Sequence, residues 1–224
     1  MIFGKIDYIN LLPFHIFLKR SSLSNALKQS CEYKKSYPSS INKKFRKRTV
    51  DAAFISSIES NRKSIKTLPL GIVAKKNVKS VIVKKNTATS SDPHSATSNV
   101  LAKVLKKEGE VYIGDAALKL YLDNPDDYID LANEWNCNYN LPFVFARLSV
   151  NKHFKTYKKL SDNFKNKNIK IPQYILKKYA NERNIPPKEI LKYLSLISYK
   201  IGGKEMRGLK LFFQKSKLLG KKNH

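Results

Sequence analysis

Residues 109–148, GEVYIGDAALKLYLDNPDDYIDLANEWNCNYNLPFVFARL, constrain the fold more than any other run. They read as a strand at 111–114, then a helix over 116–122 that Asp115 can cap. An acidic turn around Pro125 follows, then an acidic loop carrying the lone Trp135 and an apolar strand at 141–150 with Pro142 at its start, where proline is tolerated. Strands alternating with helices predict an α/β fold with a mainly parallel sheet, and the rest of the chain reads as the scaffold for this run.

Upstream, residues 1–9 read as a strand with Ile2, Ile6 and Tyr8 on one face, and Pro13 marks the start of a helix. Asn10 sits at that junction. Its amide can grip a carboxylate or hydroxyl at a crevice, or close an Asx turn. A segment over 31–37 is strand-like at best, and 41–48 reads as a short basic helix. A buried strand at 52–55 runs into Ser56-Ser57-Ile58-Glu59, a capping box with Ser56 as N-cap. Such a junction suits an anion or is an ordinary cap. Strands at 68–74 and 79–84 precede Ser95-Ala96-Thr97-Ser98, which opens a helix over 99–107. Three hydroxyls within four residues exceed what one cap needs, so anion binding and capping both stand there. Asp115 is either a general base or hydroxyl acceptor at a crevice edge, or a helix cap.

Beyond residue 151 the pattern is helical throughout. Phe154, Tyr157, Leu160 and Phe164 share one face, and Ile175, Leu176 and Tyr179 another. Ile190, Leu191, Leu194 and Ile197 follow Pro187, and Met206, Leu209, Phe212 and Phe213 mark a last helix. The two strand groups, before Lys84 and around 111–150, imply two lobes with a cleft between them: 1–78 with 148–224, and 79–147. Asn10, Ser56-Ser57 and Ser95 to Ser98 all fall at strand-to-helix junctions and are expected to face that cleft.

Charge narrows the function. Lys plus Arg number 44 and Asp plus Glu 17, a net +27. The field attracts anions, yet the basic residues are spread along polar helix faces, with no zinc-finger spacing and no RNP-like strand. A solvated lysine-rich surface is therefore expected, with no nucleic-acid partner. Cys31 and Cys137 define neither a metal site nor a disulfide framework. The run 9–18 is broken by Asn10, Pro13 and His15 and makes a poor signal peptide, and no run is long enough to span a membrane. A cytoplasmic protein with no membrane partner is expected.

Several motifs together resemble one family. GKIDYINLLPF at 4–14 resembles the opening of the chorismate dehydratases of the futalosine pathway of menaquinone biosynthesis. So do DAAFISSIES at 51–60, SATSNVL at 95–101, IGDAAL at 113–118, DLANEWNCNYNLPFVFA at 130–146 and ISYKIGGKEMRGLKLFF at 197–213. Tyr139-Asn140 stands where the family often has Thr-Gly, and the Asp92-Pro93-His94 loop is also unusual. The resemblance implies a two-lobed fold like that of type II periplasmic binding proteins. It implies an enzyme that converts chorismate to 3-[(1-carboxyvinyl)oxy]benzoate with no metal or organic cofactor. Asn10 is then the expected catalytic residue. Tyr8, Ser56, Ser57, Ser95, Thr97, Ser98, Gly114, Asp115, Leu141 and Phe143 are the expected substrate contacts. His15 and His94 are the available bases, but the substrate's own enolpyruvyl carboxylate is the preferred proton acceptor. The rival expectations are a non-catalytic binder of small anions with the same fold, the sister naphthoate synthase of the pathway, and a nucleic-acid binder.

Overall fold

The computed structural model describes residues 1–26, 28–29, 35–165 and 167–221. Cys31 and most of the strand-like segment expected at 31–37 lie outside them. Helices are α1 (Leu12–Arg20), α2 (Pro38–Arg46), α3 (Ser57–Ser60), α4 (Ala96–Val104), α5 (Gly114–Asp123), α6 (Leu131–Tyr139), α7 (Phe154–Lys165), α8 (Gln173–Arg183), α9 (Pro187–Leu196) and α10 (Gly203–Lys221). Strands are β1 (Phe3–Gly4), β2 (Ala52–Ser56), β3 (Lys66–Ala74), β4 (Val81–Lys84), β5 (Glu110–Ile113), β6 (Tyr128–Asp130), β7 (Phe143–Val150) and β8 (Ile197–Lys200).

The strands form two sheets, a five-stranded one in the order β1-β2-β7-β3-β8 and a three-stranded one in the order β5-β4-β6. The chain crosses to the small sheet after β3 and returns to the large one in β7. The expected mainly parallel sheet is corrected. Among the described residues β1 and β2 pair in parallel, as does the isolated bridge of Ser90 with Glu110, and the other strand ladders are antiparallel. Alternation of strands and helices reports spacing along the chain, not strand direction. Here β7 comes back from the small sheet and inserts between β2 and β3.

Two further expectations change. The stretch around Trp135 is a helix, α6, rather than a loop. Asp130 caps it, accepting from the Ala132 and Asn133 N–H groups at 2.9 and 3.1 Å. Asn140 ends it in the left-handed region at φ 50°. Ile197, expected to continue α9, instead begins β8, so the C-terminal third is not wholly helical.

Aromatic rings fill the core on both sides of the large sheet. Phe14 meets Phe54 edge-on at 4.9 Å and Phe164 at 5.1 Å. Trp135, fully buried, packs on Phe143 at 5.3 Å, and Phe143 packs on Phe212 at 5.0 Å. This cluster ties α6 and α10 to β7. No helix among the described residues is long and apolar enough to cross a membrane.

Candidate active site

The two sheets flank a cavity of about 600 Å³, mouth included. Both sheet regions contribute walls. Tyr8, Asn10, Ser56, Ile72 and Phe145 come from the large-sheet side, and Ser80, Ser95, Ser98, Ile113 and Gly114 from the small-sheet side. The lining is apolar apart from hydroxyls, one amide and backbone. Among the described residues it contains no Asp, Glu, His, Lys or Arg.

Asn10 lies in a short 3-10 turn, Ile9–Leu11, between β1 and α1. The Tyr199 hydroxyl donates to its backbone carbonyl at 2.7 Å, which fixes the turn independently of the side chain. Its Oδ1 is buried and has no hydrogen-bond partner among the described residues. An unpartnered buried acceptor is costly, so one aimed into a cavity awaits a donor. Tyr193 stands behind it, sharing a 2.8 Å hydrogen bond with Ser80. Burial pushes the Tyr193 hydroxyl well above the ordinary phenol value, against its hydrogen bonds with Ser80 and the Asn10 side chain. Burial does the same to Tyr199, and also to Tyr8, with Asp92 and Asp115 adding to the effect at Tyr8. All three phenols therefore remain neutral O–H groups.

On the opposite wall Ser95 caps α4. Its Oγ accepts from the Ser98 N–H at 3.1 Å, and its hydroxyl donates to Ser98 Oγ at 2.8 Å. The start of α4 thus presents hydroxyls and helix-end N–H groups to the cavity. Tyr37 stacks on His94 at 4.3 Å and 13°, beside the lining residues Pro38 and Ser95.

The structure brings Tyr8, Asn10, Ser56, Ser95, Ser98 and Gly114 together and leaves the other expected contacts outside the lining. Ser57 is fully buried and donates to the Val144 carbonyl at 2.6 Å. Neighbouring residues at a strand end point to opposite sides, so Ser56 and Ser57 cannot both face the cavity. Thr97 is buried and accepts from the Ile58 N–H at 3.1 Å. The expected capping box at Ser56 is also absent. Ser56 makes no side-chain cap bond and is held instead by Asn42, while Glu59 pairs with Arg62 at 3.1 Å. Leu141 lies beside Gly208 of α10. Phe143 belongs to the Trp135 cluster, so Phe143→Leu should lower stability by about 1 kcal/mol in urea melts.

Asp115 is neither cap nor free base. Helix α5 begins at Gly114 with Ile113 as its N-cap. Asp115 Oδ1 accepts from the Ile9 N–H at 2.9 Å, and Oδ2 accepts from Arg183 Nε at 2.5 Å. Arg183 lies 4.1 Å over the Tyr179 ring and donates to the Asp7 carbonyl at 3.0 Å. Burial pushes the Asp115 carboxyl up from its ordinary value, against the Ile9 N–H and Arg183. The group is a strut between α5, the Tyr8–Ile9 segment and α8.

Comparison with known proteins decides the family. A family model described as menaquinone biosynthesis matches residues 1–110 and 102–217. The chain belongs to that menaquinone biosynthesis family. Among curated members, a chorismate dehydratase of Campylobacter jejuni subsp. jejuni serotype O:23/36 (strain 81-176) is 54% identical over 220 residues, 98% of this chain and 99% of that one. Solved structures are far more distant in sequence. An Archaeoglobus fulgidus protein superposes with TM-score 0.70 at 11% identity, covering 97% of each chain. The alkanesulfonate-binding protein of Xanthomonas axonopodis pv. citri, solved with MOPS, gives 0.56 at 10% identity, covering 100% of this chain and 93% of that one. This menaquinone biosynthesis family member therefore has the two-lobed fold of periplasmic binding proteins. Sequence reasoning missed Ser80 in the cavity lining and Asn42, Tyr193 and Tyr199, which bond to lining residues. Tyr193 and Tyr199 sat among apolar helical positions, and Tyr199 belongs to the missed strand β8, from which it reaches Asn10.

Proposed function

We propose that the chain is a chorismate dehydratase, a hydro-lyase that eliminates water from chorismate to give 3-[(1-carboxyvinyl)oxy]benzoate. In this reading it acts in the cytoplasm, in the futalosine route to menaquinone, and needs no metal or organic cofactor. The observation that carries the proposal is the character of the cavity. It offers hydroxyl and N–H donors and one free amide acceptor, with no charged side chain. A dianion fits there if its carboxylates are held by hydroxyls and the start of α4, as anions are elsewhere. The name of the Campylobacter relative supports the choice of substrate.

The chemistry follows from what the walls lack. No lining side chain among the described residues is a ready base, so the substrate's enolpyruvyl carboxylate takes the ring proton. The ring C–O bond breaks, the departing hydroxyl leaves as water with a proton, and the ring becomes aromatic. Asn10 Oδ1 accepts from the leaving hydroxyl in the bound substrate and so fixes its orientation, which by itself lowers such barriers substantially. Tyr8 donates to the substrate from beside Gly114. Ser56, Ser95 and Ser98 hold carboxylate oxygens, and the +27 field draws the dianion in. We assign 1–78 with 148–224 to one lobe and 79–147 to the other, with the cavity between them.

The test is incubation of the purified protein with chorismate, without added metal, with conversion followed by chromatography. Conversion well above the spontaneous rate is expected. Binding without conversion would instead support a small-anion binder, the second reading, which the MOPS-bound relative favours. Neither would overturn both. A variant sharpens the geometry. Gly114 has φ +73°, and a Cβ there would sit 2.6 Å from Tyr8 Cζ. Gly114→Ala should displace the Tyr8 ring and lower kcat/KM for chorismate by about 10- to 100-fold in steady-state assays.

A further inference from the structure

We propose that the open edge of β8 docks an extended acidic segment of a partner protein. Strand β8 ends the large sheet and pairs only with β3 among the described residues. All four of its residues line a second groove of about 1520 Å³, mouth included, separate from the substrate cavity. Residues 167–171 and Leu191 and Leu194 of α9 line it as well. Ile169, Ile171, Leu191 and Leu194 make an apolar floor, and Leu191 is 49% exposed. Around the rim stand Lys75, Lys165, Lys167, Lys170 and Lys200, with no carboxylate among the described lining residues. Lys165 is paired with Asp162 at 2.8 Å.

Lysine is common over the whole surface of this chain, so charge alone would not single out the groove. Its combination with an unpaired strand edge does. An open edge offers main-chain donors and acceptors to an added strand, and an apolar floor accepts every second side chain. Lysines around that edge repel a second copy of this basic chain and admit a strand whose remaining side chains are acidic. Four edge residues accommodate roughly 13 Å of added strand. A single-stranded nucleic acid fits less well, because the groove offers its bases no free ring to stack on. The two lining rings are Phe164, 4% exposed, and Tyr199, which meet each other edge-on at 5.1 Å.

The experiment is fluorescence anisotropy with the full chain and a dye-labelled peptide of alternating glutamate and valine. Comparison probes are the same peptide N-methylated at every second residue, its lysine-valine counterpart and a single-stranded oligonucleotide. Saturable one-to-one binding of the glutamate-valine peptide is expected, unaffected by chorismate. N-methylation should weaken it about tenfold, because it removes main-chain donors. The Lys75→Glu/Lys200→Glu variant should also weaken it about tenfold. Both lysines are exposed, so this variant keeps the wild-type melting curve. Absence of saturable binding would overturn the proposal. So would equal binding of the N-methylated peptide or the oligonucleotide, an unchanged affinity in the variant, or displacement by chorismate.

Discussion

Asn10→Ala should lower kcat for chorismate on the order of 100-fold while costing no more than about 1 kcal/mol of stability. The two effects separate because different atoms carry them. The backbone of the turn is held through the Asn10 carbonyl by Tyr199, and alanine keeps that bond. Among the described residues the side-chain Oδ1 has no partner, and the amide's contact with Tyr193 is the interaction that alanine removes from the folded protein. Asn10→Asp is the informative companion. It keeps an acceptor of the same shape but sets a negative charge beside a dianion, so KM should rise as well. Steady-state kinetics on both variants, with thermal melts as the control, check the assignment. Unchanged turnover in Asn10→Ala would remove this residue from the mechanism.

The largest loss of stability is expected from Arg183→Ala. Arg183 and Asp115 are each only 13% exposed, so their ion pair is largely shielded from water. Removing the arginine leaves a buried carboxylate with the Ile9 N–H alone, which typically costs about 3–5 kcal/mol. For a chain of this size that is a fall in Tm of roughly 6–20 °C. The deficit should depend on pH in a defined direction. Burial already raises the Asp115 carboxyl above 3.8, and losing Arg183 raises it further. A carboxyl raised on folding favours the folded state most below its unfolded value. That contribution disappears as pH climbs through the folded value. The deficit of Arg183→Ala should therefore be smallest near pH 4 and grow toward neutrality. Arg183→Ala/Asp115→Asn should lose this dependence. A deficit that is flat with pH would mean that Asp115 is not the group left unpaired.

Junction chemistry was the legible part of the site. Asn10, Ser56 and the Ser95–Ser98 run each stand where a strand or turn meets a helix, and composition marks such places. What a junction cannot reveal is which of two adjacent hydroxyls turns inward. Ser56 and Ser57 differ only in that respect, and one lines the cavity while the other bonds β7. Asp115 reads as a cap or base on any local rule. Its real partners, Ile9 and Arg183, lie 106 and 68 residues away. The fold divides in the same way. Helical stripes such as Tyr157, Leu160 and Phe164 were plain from spacing. Helix α6 was hidden by its polar residues, although Asp130 as cap and Leu131, Ala132 and Trp135 on one face carried the signal. Strand direction left no local mark at all, because it depends on where β7 re-enters the large sheet.

The most direct measurement is a crystal structure with 3-[(1-carboxyvinyl)oxy]benzoate soaked in, since the product is held by the same groups and does not turn over. The ligand is expected in the cavity between the sheets, with one carboxylate at the start of α4 against Ser95 and Ser98 and the ring beside Tyr8 and Asn10. A ligand bound elsewhere, with that cavity left to solvent, would contradict the assignment of the cavity as the reaction site.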